Sequence, residues 1–255
     1  MSSGVPGFLR VASFAIDVNC RIVDGYLEIF DGYSAEALLL CASIRCFGYK
    51  PHTASPYQFT TVFCLTHNDV GLPVGQDTPP TAADSVCPLP PPTVYHHDTL
   101  VEGRIELRWF NTEPELIRAL IHFVHTQDIQ VMIGWCLWEY VYPWLEARSR
   151  ALALPPAITF RVARTAFSCC TFDMNQWIYR TEKHHTSYVL HDVANAHGLV
   201  QGEFPTVTYD QINEMSRSFE GRCELARYCA FKCQLSTKLL QECTPNDVAF
   251  RPRDS

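Results

Sequence analysis

The stretch FLRVASFAIDVNC, residues 8–20, decides how the rest of the chain is read. Val11, Ala12, Phe14, Ala15 and Ile16 make an almost unbroken apolar run, the pattern of a strand buried on both faces of a sheet. The run closes on one acid, Asp17. Side chains two residues apart in a strand share a face, so Asp17 stands beside Ala15. A carboxylate at the tip of a central strand suits a metal ligand, yet this one has no acidic partner at that spacing.

Working outward, EALLLCASIRCFG (36–48) is an apolar block whose length fits strand or helix equally well. QFTTVFCLT (58–66) is rich in β-branched and aromatic residues and reads as a strand. Residues 69–98 lose periodicity and carry TPP and PLPPP, which predicts a proline-rich loop or linker. RIELRWF (104–110) alternates as a strand should. NTEPELIRALIHFVHT then opens with Thr112 and Glu115 at capping-box spacing and keeps Leu116, Leu120, Phe123 and Val124 on one helical face. IQVMIGW (129–135) reads as another buried strand, and YPWLEARSRALAL as a helix with Pro143 in its first turn. FDMNQWIY (172–179) precedes a helix predicted over 187–198, and a last helix runs from about Phe219 to Gln241. Strands alternating with helices, the early ones apolar on both faces, predict an α/β domain with a helix-covered sheet.

Composition narrows the function. The chain has 255 residues, 47% of them hydrophobic, enough to bury a substantial core. Its 20 Lys+Arg against 27 Asp+Glu give a net charge of −7, a poor basis for tight, phosphate-dominated nucleic-acid binding. No secretory leader is evident, and no apolar stretch approaches the roughly 18–20 residues of a membrane span. Most of the 12 cysteines, such as Cys41, Cys64 and Cys136, sit inside apolar runs, where a thiol behaves as a small hydrophobe. The expectation is a reducing, intracellular setting with free buried thiols.

In this order the segments resemble the 3′–5′ proofreading exonuclease domain of family B DNA polymerases, in the eukaryotic and large-DNA-virus branch. LRVASFAIDVNC is similar to the family's L-R-V-L-S-F-D-I-E-C, and TEPELIRALIHF to its TE-x-ELL-x-A-x-x-x-F helix. GWCLWEYVYPWL is similar to G-Y-N-I-x-N-F-D-x-P-Y-L, with a helix like EARSRAL after it. SYVLHDVANAHGL resembles the S-Y-x-L-x-x-V-A stretch, and ARYCAFKCQLSTKLL resembles Y-C-L-K-D-x-x-L-x-x-x-LL. The likeness covers residues 8–243, leaving 244–255 as a short tail. It implies a ribonuclease H-like mixed sheet flanked by helices.

The resemblance also implies a two-metal hydrolysis of phosphodiesters, with four carboxylates holding two divalent cations and a tyrosine orienting the attacking water. Carried over position by position, the first-strand acids fall on Ala15 and Asp17, the second-motif acid on Val141, and the third-motif acid on Lys232. Asp17 and Tyr228 survive as a vestigial catalytic pair. An ammonium at Lys232 is expected to pair with Asp17, filling a metal's place. Glu139, Asp24, Glu28 and Asp192 are the acids available for a relocated site.

Other candidates read as structural. Adjacent side chains diverge, so His96-His97 and His184-His185 are expected to be solvated loop histidines. Cys223, Cys229 and Cys233 lack the paired short spacing of a zinc site, and Cys169-Cys170 lacks a neighbour that would lower a thiol pKa. Trp135, Trp138, Tyr140, Tyr142 and Trp144 form an aromatic cluster, of which Trp138 and Tyr140 are candidates for stacking on single-strand bases. No polymerase palm signature with paired aspartates is present.

The expected function is a catalytically inactive exonuclease-like domain with a structural or docking role in DNA replication. Its expected partner is a polymerase or replication protein, with weak single-stranded DNA contact, nuclear residence and no membrane. It is not expected to be an enzyme on its own, and no cofactor is expected. The alternatives are an active 3′–5′ exonuclease with a rearranged site, using Mg²⁺ or Mn²⁺, or a fragment of a longer family B polymerase.

Overall fold

The computed structural model describes residues 8–23, 26–29, 31–34, 36–50, 55, 57–66, 93–95, 101–154, 170–200 and 207–243. Its strands are β1 (Leu9–Val18), β2 (Cys20–Val23), β3 (Tyr26–Ile29), β4 (Leu39–Tyr49), β5 (Gln58–Leu65), β6 (Thr93–Tyr95), β7 (Arg104–Phe110), β8 (Val131–Gly134) and β9 (Cys170–Asp173). Its helices are α1 (Glu113–Thr126), α2 (Tyr142–Ala151), α3 (Met174–Thr181), α4 (Leu190–Ala196), α5 (Tyr209–Met215) and α6 (Phe219–Cys243).

Seven strands form one sheet in the order β6-β7-β5-β4-β1-β8-β9, and β2 and β3 make a separate pair. β1 runs antiparallel to β4 and parallel to β8, β4 is antiparallel to β5, and β8 is parallel to β9. The sheet is therefore mixed, flanked by helices, and α/β in class. The open block at 36–48 resolves as β4, every residue of which is buried. Strand wins over helix there because β4 has a neighbour on each edge, β1 along its length and β5 from Cys41 to Phe47, which pair its backbone in the middle of the sheet. Thr93–Tyr95 lies inside the segment expected to be loop, and it pairs with β7 as an edge strand. The rest of 69–98, and the tail 244–255, lie outside the described residues.

Alternation along β5 assigns the two faces. Phe63 packs edge-on against Phe123 of α1, with ring centroids 5.5 Å apart. Its neighbour Cys64 points the other way, into the field of Cys223 and Cys229 on α6. Helices α1 and α6 thus cover opposite faces. Under α6, β1 and β4 present Ser13, Ala15 and Asp17 against Arg45, Ser43 and Cys41 in register. These side chains are mostly small, so the α6 backbone comes close enough for Cys233 Sγ to donate to Ser43 O at 3.3 Å. The Arg45 guanidinium, 1% exposed, is held by neutral acceptors: Thr60 Oγ1 at 3.1 Å, Glu102 O at 2.8 Å and Gln58 Oε1 at 2.9 Å.

Helix α1 starts where the sequence places it. Thr112 accepts from Glu115 N at 3.4 Å, the N-cap half of a capping box, with Pro114 in the first turn. Gly134 ends β8 because nothing larger fits: a Cβ there would lie 2.5 Å from Phe14 O of β1. The chain then turns through a left-handed Cys136 (φ 54°) into a π-helical turn, Leu137–Val141, with Val141 N bonded to Cys136 O at 3.1 Å. The helix predicted over 187–198 is shorter. Val189 N takes the Ser187 hydroxyl at 3.3 Å, and Tyr188 OH donates to Glu182 O, so the helix begins only at Leu190.

Candidate active site cleft

The tips of β1 and β8, the π-helical turn, α4, α5 and the middle of α6 surround a cleft of about 520 Å³. Ala15 and Asp17 line it from β1, Tyr140 and Val141 from the turn, and Tyr228 and Lys232 from α6. The structure therefore brings together all five positions carried over from the resemblance, along with Tyr140. Trp138 does not line the cleft. It is 40% exposed and stands edge-on to Tyr142, with centroids 5.8 Å apart.

Asp17 sits at the end of a regular ladder. Its Cα partner is Cys41, the register shifts between Asp17 and Val18, and such irregularities re-aim side chains at strand ends. Both carboxylate oxygens are engaged. Lys232 Nζ donates to Oδ1 at 2.5 Å, and Cys41 Sγ donates to Oδ2 at 3.7 Å. The same ammonium donates to Ile16 O at 2.9 Å and lies 5.3 Å from the Tyr228 ring centroid. Asp17 is 4% exposed at its side chain and Lys232 20%. Burial by itself would lower the lysine pKa. The Asp17 charge, with Cys229 and Tyr228 nearby, outweighs it and holds the ammonium above its ordinary range.

The thiols behind this pair are inert. Burial pushes Cys41 up to about 11, and Cys229, which donates to Ala15 O at 3.6 Å, well above the ordinary thiol value. Asp17, Cys41 and Cys229 have donor atoms within 4.8 Å of one another, but the Asp17 carboxylate is already neutralised by the Lys232 ammonium on Oδ1. Two hard divalent cations close together need several carboxylate oxygens between them. Among the described residues lining the cleft, Asp17 is the sole carboxylate, so the residues present do not fit such a pair.

Neither of the two described acids considered for a relocated site lines the cleft beside Asp17. Glu139 is exposed and accepts from Gln176 Nε2 at 3.4 Å, and Asp192 is exposed on the first turn of α4. Asp24 and the Glu28 side chain lie outside the described residues. Sequence reasoning missed Asp173, at the tip of β9. It is a helix cap, accepting from Asn175 N and Trp138 N at 3.0 Å each, so it locks α3 and the π-helical turn together. The signal was there, an acid just ahead of a helical segment. Cys41 carried no such signal, since only strand register puts it beside Asp17. The described cysteines stand outside any disulfide: Cys41, Cys46, Cys64, Cys229 and Cys233 are buried, Cys136, Cys223 and Cys243 half-buried, and Cys170 exposed. His185 departs from expectation, with a side chain only 5% exposed.

The architecture defines a class: a mixed α/β sheet with flanking helices, as in ribonuclease H-like domains. Among solved structures, the chain is similar to the family B DNA polymerase from the hyperthermophilic archaeon Pyrobaculum calidifontis, with a TM-score of 0.57 at 16% sequence identity. The match covers 94% of this chain and 25% of that polymerase, so the chain spans about a quarter of its length. No protein-family model matches the chain, and no curated protein does. Among the described residues no helix is long and apolar enough to cross a membrane.

Proposed function

We propose that residues 8–243 are an exonuclease-like domain of the family B DNA polymerase type that has lost nuclease activity and serves DNA replication as a structural body docked on a polymerase or replication protein. The observation that carries the proposal is the Lys232–Asp17 ion pair, 2.5 Å long, at the centre of the cleft. A side-chain cation neutralises the last carboxylate, and Ala15 and Val141 supply no oxygen for a metal or a water nucleophile. The net charge of −7 favours protein contact over nucleic acid, leaving Trp138 and Tyr140 to offer weak stacking to a single strand. An intracellular, reducing and nuclear setting belongs to the same proposal, supported by the lack of a disulfide among the described cysteines.

The test is incubation with end-labelled single-stranded DNA and Mg²⁺ or Mn²⁺. The expected result is unchanged oligonucleotide, and metal-dependent shortening from the 3′ end overturns the proposal. Anisotropy titration with the same DNA is expected to give a dissociation constant no tighter than about 10⁻⁶ M near physiological salt, weakening as salt rises.

A second reading, that this domain is one part of a longer polymerase chain, is favoured by the quarter-length coverage of the archaeal enzyme. Reading the coding sequence beyond Ser255 distinguishes the two.

A further inference from the structure

We propose that Glu182, His185, His197 and Cys243 form a structural binding site for a zinc-type transition-metal ion, remote from the cleft. The four residues come from three stretches of sequence and meet at helix ends. Glu182 is the C-cap of α3, His185 follows three residues later, His197 is the C-cap of α4, and Cys243 is the last residue of α6.

Local backbone chemistry builds the cluster. Gly198 takes a left-handed φ of 68° after α4. Its N–H bonds Asn195 O, and Leu199 N bonds Ala194 O, which is the Schellman arrangement of helix termination. That stop leaves His197 on the last turn, facing the end of α3. On the other side, Tyr188 OH donates to Glu182 O at 2.8 Å, closing the 182–188 loop so that His185 folds inward.

The donor atoms converge. His185 Nε2 and His197 Nε2 each lie 2.9 Å from the same oxygen, Glu182 Oε2, and the three residues each offer a ligand atom within 4.8 Å of the other two. Cys243 Sγ lies 3.8 Å from His197 Nε2. A tetrahedral zinc ion with bonds of about 2.0–2.3 Å holds its ligand atoms roughly 3.3–3.8 Å apart. The two His–Glu182 separations fall short of that range and the Cys243–His197 separation lies at its upper end, so the side chains must rotate apart around Glu182 and Cys243 must swing in to admit an ion. Two imidazoles, a thiolate and a carboxylate are a borderline-soft set that suits zinc and excludes magnesium or calcium.

Charge and proton bookkeeping closes without a redox step. The cation binds, the Cys243 thiol gives its proton to solvent, and each imidazole binds through Nε2 with its proton carried on Nδ1. The groups facing the site are His184, whose ring centroid is 4.4 Å from that of His185, and Tyr188, at 5.7 Å. Neither is needed as a ligand. The ion would tie the C-terminal ends of α3, α4 and α6 together.

The test is Co²⁺ titration of the chelator-treated chain, followed by Zn²⁺ competition. One equivalent is expected to give tetrahedral cobalt bands with a thiolate-to-cobalt charge-transfer band, both removed by zinc. Cys243→Ser should lose the charge-transfer band while keeping weaker cobalt binding. His185→Gln and His197→Gln should each weaken binding by about tenfold or more. Cys170→Ser, a surface change elsewhere, should alter nothing. Circular dichroism confirms that each variant is folded. Two outcomes overturn the site: no saturable cobalt spectrum from folded wild type, or a spectrum that persists in the folded His185→Gln/His197→Gln double variant. Neither bears on whether the cleft is catalytically inactive.

Discussion

Arg148 of α2 grips Glu113 of α1 inside the protein, with Nε 3.0 Å from both carboxylate oxygens and Nη2 2.6 Å from Oε2. The pair also clamps two backbones, because Glu113 Oε1 accepts from Leu39 N at 2.7 Å and Arg148 Nη1 donates to Ser34 O at 2.9 Å. It therefore joins the start of β4 to both helices on that side. Removing one partner strands the other charge without water. Glu113→Ala or Arg148→Ala is expected to cost roughly 3–5 kcal/mol, whereas the double change Glu113→Leu/Arg148→Met should recover much of it. Urea unfolding of the three variants measures this, and single losses below about 1 kcal/mol would show that the pair is not a structural joint.

Much of this framework was legible beforehand, because strand and helix periodicity are local. β7 and α1 lie where alternation and capping chemistry place them. The aromatic cluster divides by face, with Tyr142 and Trp144 buried and Trp138 exposed. The resemblance marked Asp17 and Lys232 as facing positions, and the structure brings their charges into contact across more than 200 residues of chain. The Glu113–Arg148 joint and the Glu182–His185–His197–Cys243 cluster were not legible. Each depends on which helix ends meet, and sequence spacing does not encode that. His185 is not the solvated loop histidine that divergence of neighbours predicts, because the two rings lie side by side with centroids 4.4 Å apart. His184 is the exposed one, and Tyr188 closes the loop that turns its neighbour inward.

The Asp17–Lys232 pair predicts a pH dependence with a definite sign. The folded lysine pKa is raised above its ordinary 10.5, so its stabilisation is complete below about pH 10.5 and is lost as pH rises through the higher folded value. Asp17, Cys41, Cys229, Cys233 and Tyr228 are the titratable groups facing the ammonium among the described residues. Lys232→Met, which leaves Asp17 buried and uncompensated, should lower stability by roughly 3 kcal/mol at pH 8. The gap to wild type should stay constant to about pH 10 and shrink above it. Denaturant midpoints measured from pH 7 to 11.5 test this, and a gap that widens with alkali contradicts the pairing.

Gly134 predicts a packing effect at the cleft mouth. A methyl group there would meet the Phe14 carbonyl at 2.5 Å and Leu137 Cδ2 at 2.7 Å. The carbonyl belongs to the β1–β8 ladder and cannot move without loss of pairing. Gly134→Ala should therefore destabilise by about 1–3 kcal/mol through overpacking, despite the better intrinsic propensity of alanine. Thermal melts decide it, and an unchanged or raised midpoint would refute the close approach.

Thiol chemistry separates the described cysteines. Cys170 is exposed, while Cys46 and Cys233 are buried and pushed up to about 12 by that burial. Alkylation requires the thiolate and access to it, so burial protects twice. In native protein at pH 8, iodoacetamide should modify Cys170 within minutes and leave Cys41, Cys46, Cys64, Cys229 and Cys233 unmodified until denaturant is added. Peptide mass spectrometry reads each site, and rapid native labelling of Cys233 would mean that α6 does not stay packed on β4.

The cleft itself predicts how a metal site is rebuilt. Wild type offers one carboxylate, already neutralised by Lys232, so calorimetric titration with Mn²⁺ should show no binding that Asp17→Asn abolishes. Lys232→Asp removes the competing cation and returns an oxygen ligand to the same point of α6. Adding Ala15→Asp and Val141→Asp places two more carboxylates on side chains that already line the cleft. Four carboxylates around one cavity suffice to hold a pair of hard cations, so the triple variant should bind about two Mn²⁺ per chain. Their mutual repulsion, without metal, should make it less stable than wild type and more strongly stabilised by Mn²⁺, in proportion to occupancy. Thermal melts with and without the ion measure both effects. If the folded triple variant takes up no manganese, the scarcity of carboxylates is not what keeps a metal pair out of the cleft, and the proposed reading of it as an exonuclease-type site loses its physical basis.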